Sequence, residues 1–211
     1  MKTTSGKKNI LKRIKQALHT SVPVPFEDTA SKQAFFVKED NDLEVQFAEN
    51  FSRLQGRFSF CSNEKELASQ LQTLFAARQW AKIFLNEAGL KATLSRQNLQ
   101  INGETDLADC DAAVTSCECL IARTGSMVLS SVQSGRTTSV YAPAHICVAY
   151  TSQLVFDIKD GLDLLKKKYP GNLPSSITIA SGPSRTADIE KTLVTGVHGP
   201  KEVFCFLVQS N

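Results

Sequence analysis

Residues 177–208 decide how this chain is read. They run Ile177-Thr-Ile-Ala180, then Ser-Gly-Pro-Ser-Arg-Thr-Ala-Asp-Ile-Glu-Lys-Thr-Leu-Val-Thr-Gly-Val-His-Gly-Pro200, then Lys-Glu-Val203-Phe-Cys-Phe-Leu-Val208. The two apolar runs, 177–180 and 203–208, read as buried strands. Between them, Gly182 and Pro183 break the first strand. Ser184, Thr186 and Asp188 can each cap a helix, and Ile189, Leu193 and Val197 recur every four residues. The pattern predicts a helix from about Arg185 to Thr195 and hence a strand, turn, helix, turn, strand unit.

Such a unit makes its first turn an anion site. The leading amides of a helix have no partner within it and the dipole is positive there, so a phosphate or carboxylate is stabilised. Arg185 adds a planar, permanently charged fork, and open α/β sheets place ligands outside the carboxyl ends of their strands. The purely structural alternative has Gly182 and Pro183 turning the chain while Arg185 pairs with Asp188 or Glu190. The second turn fits less easily. A helix over 185–195 spans roughly 15 Å, which puts His198 at the far edge of the sheet from Arg185. One pocket uses both only if the chain doubles back or a second subunit completes the site.

Gly182-Pro-Ser-Arg-Thr-Ala-Asp-Ile-Glu190 followed by Gly196-Val-His-Gly-Pro200 resembles the signature of the LUD-domain family, known best for its lactate utilisation protein C type. The resemblance extends to Thr124-Gly125-Ser126 and to Ala142-Pro143-Ala144-His145. It covers residues 98–209, and the first hundred match in layout only. Where the family pattern has an acid before the Thr-Gly pair, this chain has Arg123. The resemblance implies a fold similar to the NagB/RpiA/CoA transferase group. It also implies a part in oxidising L-lactate to pyruvate with separate iron–sulfur partner proteins, and no cluster in this chain. By analogy it leaves open a stand-alone enzyme on a small anionic metabolite, a sugar phosphate or acyl-CoA, and a non-catalytic assembly module. In the enzyme reading Asp188 or Glu190 is the base and His198 the acid or a second base. Thr124, Gly125, Ser126, Gly182, Pro183, Ser184, Arg185, Thr186 and Gly199 then hold a carboxylate or phosphate.

Length and composition bound these readings. With 211 residues, 42% hydrophobic and 21% charged, the chain has the makeup of an ordinary globular domain. The net charge of +3 conceals an asymmetry. Residues 1–20 hold six of the 24 basic residues and no acid, so the remainder, with 18 basic and 21 acidic side chains, carries −3. A mildly acidic body gives no reason to expect nucleic acid. No apolar run is long enough to cross a membrane, and the amino terminus lacks the apolar stretch of a secretory signal, so a cytoplasmic protein is expected. There is no Gly-x-Gly-x-x-Gly loop. The six cysteines show no Cys-x-x-Cys pair, so no metal site is expected. They read as reduced core residues, with Cys117 and Cys119 on one face of a strand.

Elsewhere the pattern alternates. Ile10, Ile14 and Leu18, with Leu11 beside them, give residues 7–18 an apolar stripe among basic side chains. This is an amphipathic helix suited first to docking on the body or in a dimer, and otherwise on a partner or an anionic membrane. Pro23 and Pro25 predict an extended linker. Helices are expected over 42–54, 63–78, 87–97 and 157–169. Strands are expected over 57–61, 81–85, 112–115, 118–122, 127–131, 145–150 and at 154–155, with a turn at Asn102-Gly103. Thr124-Gly125-Ser126 is a hairpin turn or an anion-cradling nest, and Ser134–Ser139 reads as a mobile loop. The sum is an α/β fold with a largely parallel sheet flanked by helices and preceded by further helices. The organisation is a basic helix (1–20), a linker and second helix (21–56) and an α/β domain (57–211).

Overall fold

The computed structural model describes residues 4–19, 42–101, 105–189 and 192–210. The linker prolines Pro23 and Pro25, the Asn102-Gly103 turn and Glu190 lie outside the described residues. The chain divides into two compact units, residues 1–37 and 38–211. The first carries helix α1 (Thr4–His19), on which Ile10, Leu11 and Ile14 are exposed. Among the described residues no helix is long and apolar enough to cross a membrane.

The second unit is built on a five-stranded parallel sheet of β1 (Arg57–Cys61), β2 (Ile83–Phe84), β3 (Ala112–Thr115), β6 (Ala144–Tyr150) and β11 (Glu202–Val208), in the order β1-β11-β6-β3-β2. The central strands are apolar on both sides, as a sheet covered on both faces requires. Even-numbered residues of β6 and β11, such as Ile146, Val148, Phe204 and Phe206, meet α3 (Glu64–Arg78) and α4 (Ala88–Arg96). Odd-numbered ones, Cys147, Ala149, Val203, Cys205 and Leu207, meet a different layer.

That layer is a second sheet. β4 (Cys119–Ile121), β5 (Ser126–Ser130), β7 (Leu154–Val155) and β8 (Ile177–Ala180) form it in the order β7-β4-β5-β8, with β4–β5 and β5–β8 antiparallel. Its inner residues Leu120, Met127 and Leu129 join the core, and its outer residues Cys119, Ile121 and Val128 are covered by α6 (Ile158–Lys168). α2 (Leu43–Arg53) drives Phe47 and Phe51, both fully buried and stacked at 5.4 Å, into the core between the sheets. The parallel sheet therefore has helices α3 and α4 on one side, and on the other a second sheet reinforced by α2 and backed by α6.

Three expectations are overturned. The helix over 185–195 is instead a hairpin of β9 (Arg185–Ile189) and β10 (Thr192–Thr195). Thr186, Ile189, Thr192, Val194 and Thr195 are β-branched and prefer extended backbone, which outweighs the four-residue spacing. β8, expected to be buried, is the half-exposed edge of the second sheet. Cys117 and Cys119 face different cores. Glu118 donates its N–H to the Val128 carbonyl while Cys119 is the residue opposite Val128, and such a bulge reverses the side-chain alternation.

Gly125 shows how tightly the layers meet. Its φ is +59°, and a Cβ there would lie 2.5 Å from the Phe51 backbone nitrogen and 2.6 Å from the Asn50 carbonyl carbon. Gly125→Ala therefore adds a backbone clash to a left-handed conformation, and urea denaturation should show a loss of at least about 2 kcal/mol.

Candidate functional site

The signature residues gather around the carboxyl end of α2 and the amino ends of β6 and β11. The β4–β5 turn, Thr124-Gly125-Ser126, is a hairpin turn that receives α2: the Asn50 amide donates to the Ala122 and Arg123 carbonyls at 2.9 and 3.1 Å. A run of hydroxyls leads from it to β8, with Thr124 Oγ1 2.8 Å from Ser126 Oγ, itself 2.6 Å from Ser181 Oγ. Gly182 has φ +83°, and a Cβ there would meet the Leu54 carbonyl oxygen at 2.5 Å. Arg185 donates to that same carbonyl at 2.6 Å. Because no helix begins at 185, there is no helix amino terminus to hold an anion. Here the guanidinium faces the opposite pole, the carbonyl-rich end of α2.

The hairpin returns the chain to its start, so Arg185 and His198 are not at opposite edges of the sheet. Ser184 N–H donates to the Pro200 carbonyl at 3.0 Å and Gly196 N–H to the Ser184 carbonyl at 2.9 Å. Gly199 lies so close to Ser184 that a Cβ would be 2.7 Å from the Ser184 Cβ. Pro183 is buried and Thr186 pairs with Val194. Asp188 is placed in β9 by its backbone.

His198 is exposed and, with Lys201, Tyr141, Val140, Val197, Pro143 and the two glycines, lines an open groove of about 450 Å³. An imidazole and an ammonium on an apolar floor suit a small carboxylate or phosphate. The segment expected to be mobile, Ser134–Ser139, leads into Val140 and Tyr141 of this groove. It carries α5 (Thr138–Tyr141), buries Ser134, Thr138 and Ser139, and is tied to Ser175 by Arg136 at 2.9 Å.

Glu118 escaped the sequence reading, and Arg123 and His145 take structural places. Glu118, whose side chain is fully buried, accepts from Ser130 Oγ at 2.5 Å, Lys168 Nζ at 2.8 Å and Tyr169 OH at 2.9 Å. Arg123, the departure from the family pattern, binds Asp157 Oδ1 through Nε and Nη2 at 2.9 and 2.6 Å and so steadies the N-cap of α6. His145 is buried, its Nε2 is 2.8 Å from Thr115 Oγ1, and burial pulls its imidazole pKa down to about 4. The signal for Glu118 was available: a lone acid in an apolar run needs a partner. All six cysteines are buried and unbridged, and burial pushes the Cys61 and Cys119 thiols up to about 12. Among the described residues no group of His, Cys, Asp and Glu is arranged to hold a metal ion.

A profile of the LUD domain matches residues 45–208, most of the chain. The chain belongs to the LUD domain family. An uncharacterized protein of Neisseria meningitidis serogroup B is 37% identical over 94 residues, which are 44% of this chain and 40% of that one. Lactate utilization protein C of Anoxybacillus flavithermus is 27% identical over 206 residues, covering 90% of this chain and 92% of that one. The same-named protein of Bacillus subtilis is 33% identical over 112 residues, 50% of this chain and 47% of that one. A crystal structure of a DUF162 family protein from Deinococcus radiodurans superposes with a TM-score of 0.60 at 20% identity, covering 79% of this chain and 96% of that one. This LUD domain thus shares the fold of a solved structure. Its signature residues serve here as the seat of α2 and as one wall of a groove.

This geometry makes two outcomes measurable. Arg185 is exposed and makes one bond to the end of α2, so Arg185→Ala should lower stability by only about 0.3–1 kcal/mol in denaturant titrations. His145 has a folded value below its ordinary one, so the unfolded chain takes up a proton first as pH falls. Stability is unaffected above about 6.5 and declines from there to about 4. Between pH 7 and 5 the contribution is about 2 kcal/mol, and His145→Gln should remove that part of the acid slope.

Proposed function

We propose that this chain is a subunit of a lactate utilisation system and takes part in oxidising L-lactate to pyruvate alongside iron–sulfur partner proteins. The observation that carries the reading is its alignment, over nine-tenths of both chains, with a protein named lactate utilization protein C. The LUD match over 45–208 supports it.

The chemistry of the groove suits binding rather than electron transfer. Its described side chains supply an ammonium, an imidazole, a phenol and apolar contacts. Lys201 supplies charge for a substrate carboxylate, and His198, exposed on the same groove, would exchange a proton with a neighbouring hydroxyl in this reading. Asp188 and Glu190 belong to the same signature and stand as further candidates for a base. Oxidation needs an acceptor for two electrons, and in this proposal the partners' clusters provide it.

The test is a low-salt pull-down of the full chain from its native cell, with the recovered fraction assayed for lactate-dependent dye reduction. Iron–sulfur proteins and activity should be recovered together, and the isolated chain should have no such activity. Recovery of the chain alone, without activity in the fraction, would sink the proposal and favour a stand-alone enzyme.

A further inference from the structure

An open parallel sheet places ligands at the carboxyl ends of its strands, and the groove lined by His198 is at the other rim. The carboxyl rim has a cleft of its own. Asn63, Glu64 and Lys65 follow β1, Tyr150 ends β6, Gln209 and Ser210 follow β11, and Gln97 follows α4; together they line an open space of about 440 Å³. That volume lies in the range of small-molecule sites and holds more than a three-carbon acid.

The lining chemistry is mixed. Among the described residues, the Lys65 ammonium and the Gln97 and Gln209 amides make no side-chain hydrogen bond or ion pair, while Asn63 already donates to Ser62 Oγ and caps α3. Glu64 and Tyr150 act as a pair: the Tyr150 hydroxyl donates to Glu64 Oε1 at 3.0 Å, and Arg96 lies 3.9 Å from Glu64 Oε2. Burial and that hydrogen bond push the phenol up to about 12, so it remains a neutral donor at physiological pH.

These groups discriminate among ligands. A bare phosphate meets the ammonium but is opposed by the Glu64 carboxylate. A neutral polyol satisfies the amides and leaves Lys65 without a counter-ion. A molecule carrying both hydroxyls and one anionic group uses the lining groups that have capacity left, with the anion on Lys65 and the hydroxyls on the Glu64–Tyr150 pair and the Gln97 and Gln209 amides. We propose that this cleft is a second binding site of the chain, for a polyhydroxylated small anion such as a sugar acid or sugar phosphate. The inference is independent of the lactate reading, since it rests on a different rim of the sheet and on different residues.

The test is an amide NMR titration of the full isolated chain with D-gluconate, D-ribose 5-phosphate, inorganic phosphate and glycerol, each as a separate probe. Gluconate or ribose 5-phosphate should give saturable shifts at residues 63–65, 97, 150 and 209–210, and whichever binds tighter identifies the anion. Phosphate and glycerol should bind at least about tenfold more weakly. Lys65→Ala, at an exposed position that leaves the fold intact, should weaken the sugar anion about tenfold. Tyr150→Phe keeps the ring in the core and should narrow the gap between the sugar anion and bare phosphate. The inference is overturned if no probe shifts these residues, if shifts fall only on residues 182–201, or if phosphate binds as tightly as ribose 5-phosphate. No partner protein or turnover enters this experiment, so its failure is separate from that of the lactate reading.

Discussion

The packing of the α2 carboxyl end constrains everything around it. Phe47 and Phe51 fill the space between the two sheets, and to do so the helix must end hard against the turns at Gly125 and Gly182. Any side chain at either glycine would overlap helix backbone or the Leu54 carbonyl. The last carbonyls of a helix need donors. Leu54 finds one in Arg185, and Asn50 near the end of the same helix reaches back to the β4–β5 turn. Thus a stretch that looks like pure site chemistry in sequence is also the socket of a helix. The phenylalanines explain why the socket is so tight: burying a large aromatic in full is worth several kcal/mol, and only a close fit secures it.

The second sheet is fastened to its outer helix by charge. α6 is capped at its start by Asp157, held by Arg123 just after β4, and at its end Lys168 and Tyr169 reach Glu118 just before β4. Both ends of the helix are therefore tied to the two ends of one strand, and Gly161 between them allows close approach, since a Cβ there would lie 3.1 Å from the Cys119 sulfur. A carboxylate with no exposure is costly alone. Glu118 is tolerated because one donor is an ammonium whose side chain remains 46% exposed, which limits the desolvation on that side.

The sequence was most legible where one principle acted unopposed. β1, β3 and β6, the helices after Asn63 and Asp157, and the Phe47 and Phe51 stripe all follow from alternation, caps and four-residue spacing, and they fall where expected. The 185–195 segment failed because two signals conflicted. Ile189, Leu193 and Val197 offered a helical spacing, while the surrounding β-branched residues favoured extension, and pairing of two arms settled the matter. The second sheet was not legible as a layer, because short strands of two to five residues carry too little pattern to say which sheet they join. Cys117 and Cys119 misled for a related reason: a bulge depends on the partner strand, which one strand's own sequence does not contain.

The parallel sheet keeps the chemistry of its two rims apart. The signature turns reach the amino ends of β6 and β11, at Pro143 and Lys201, where Lys201 N–H donates to the Pro143 carbonyl at 2.8 Å. Tyr150, Gln209 and Ser210 are at the opposite ends of those strands. Seven residues of β11 span about 20 Å, far beyond the reach of one side chain. A group at His198 therefore acts on nothing bound beside Tyr150, and the reverse holds. The buried His145–Thr115 pair, inside the sheet between the rims, does not bridge them as a charge, because the imidazole is neutral at physiological pH. Any influence of one rim on the other must pass through the packing of β6 and β11, whose small residues Cys147, Ala149 and Cys205 leave α2 and the second sheet in direct contact with both strands.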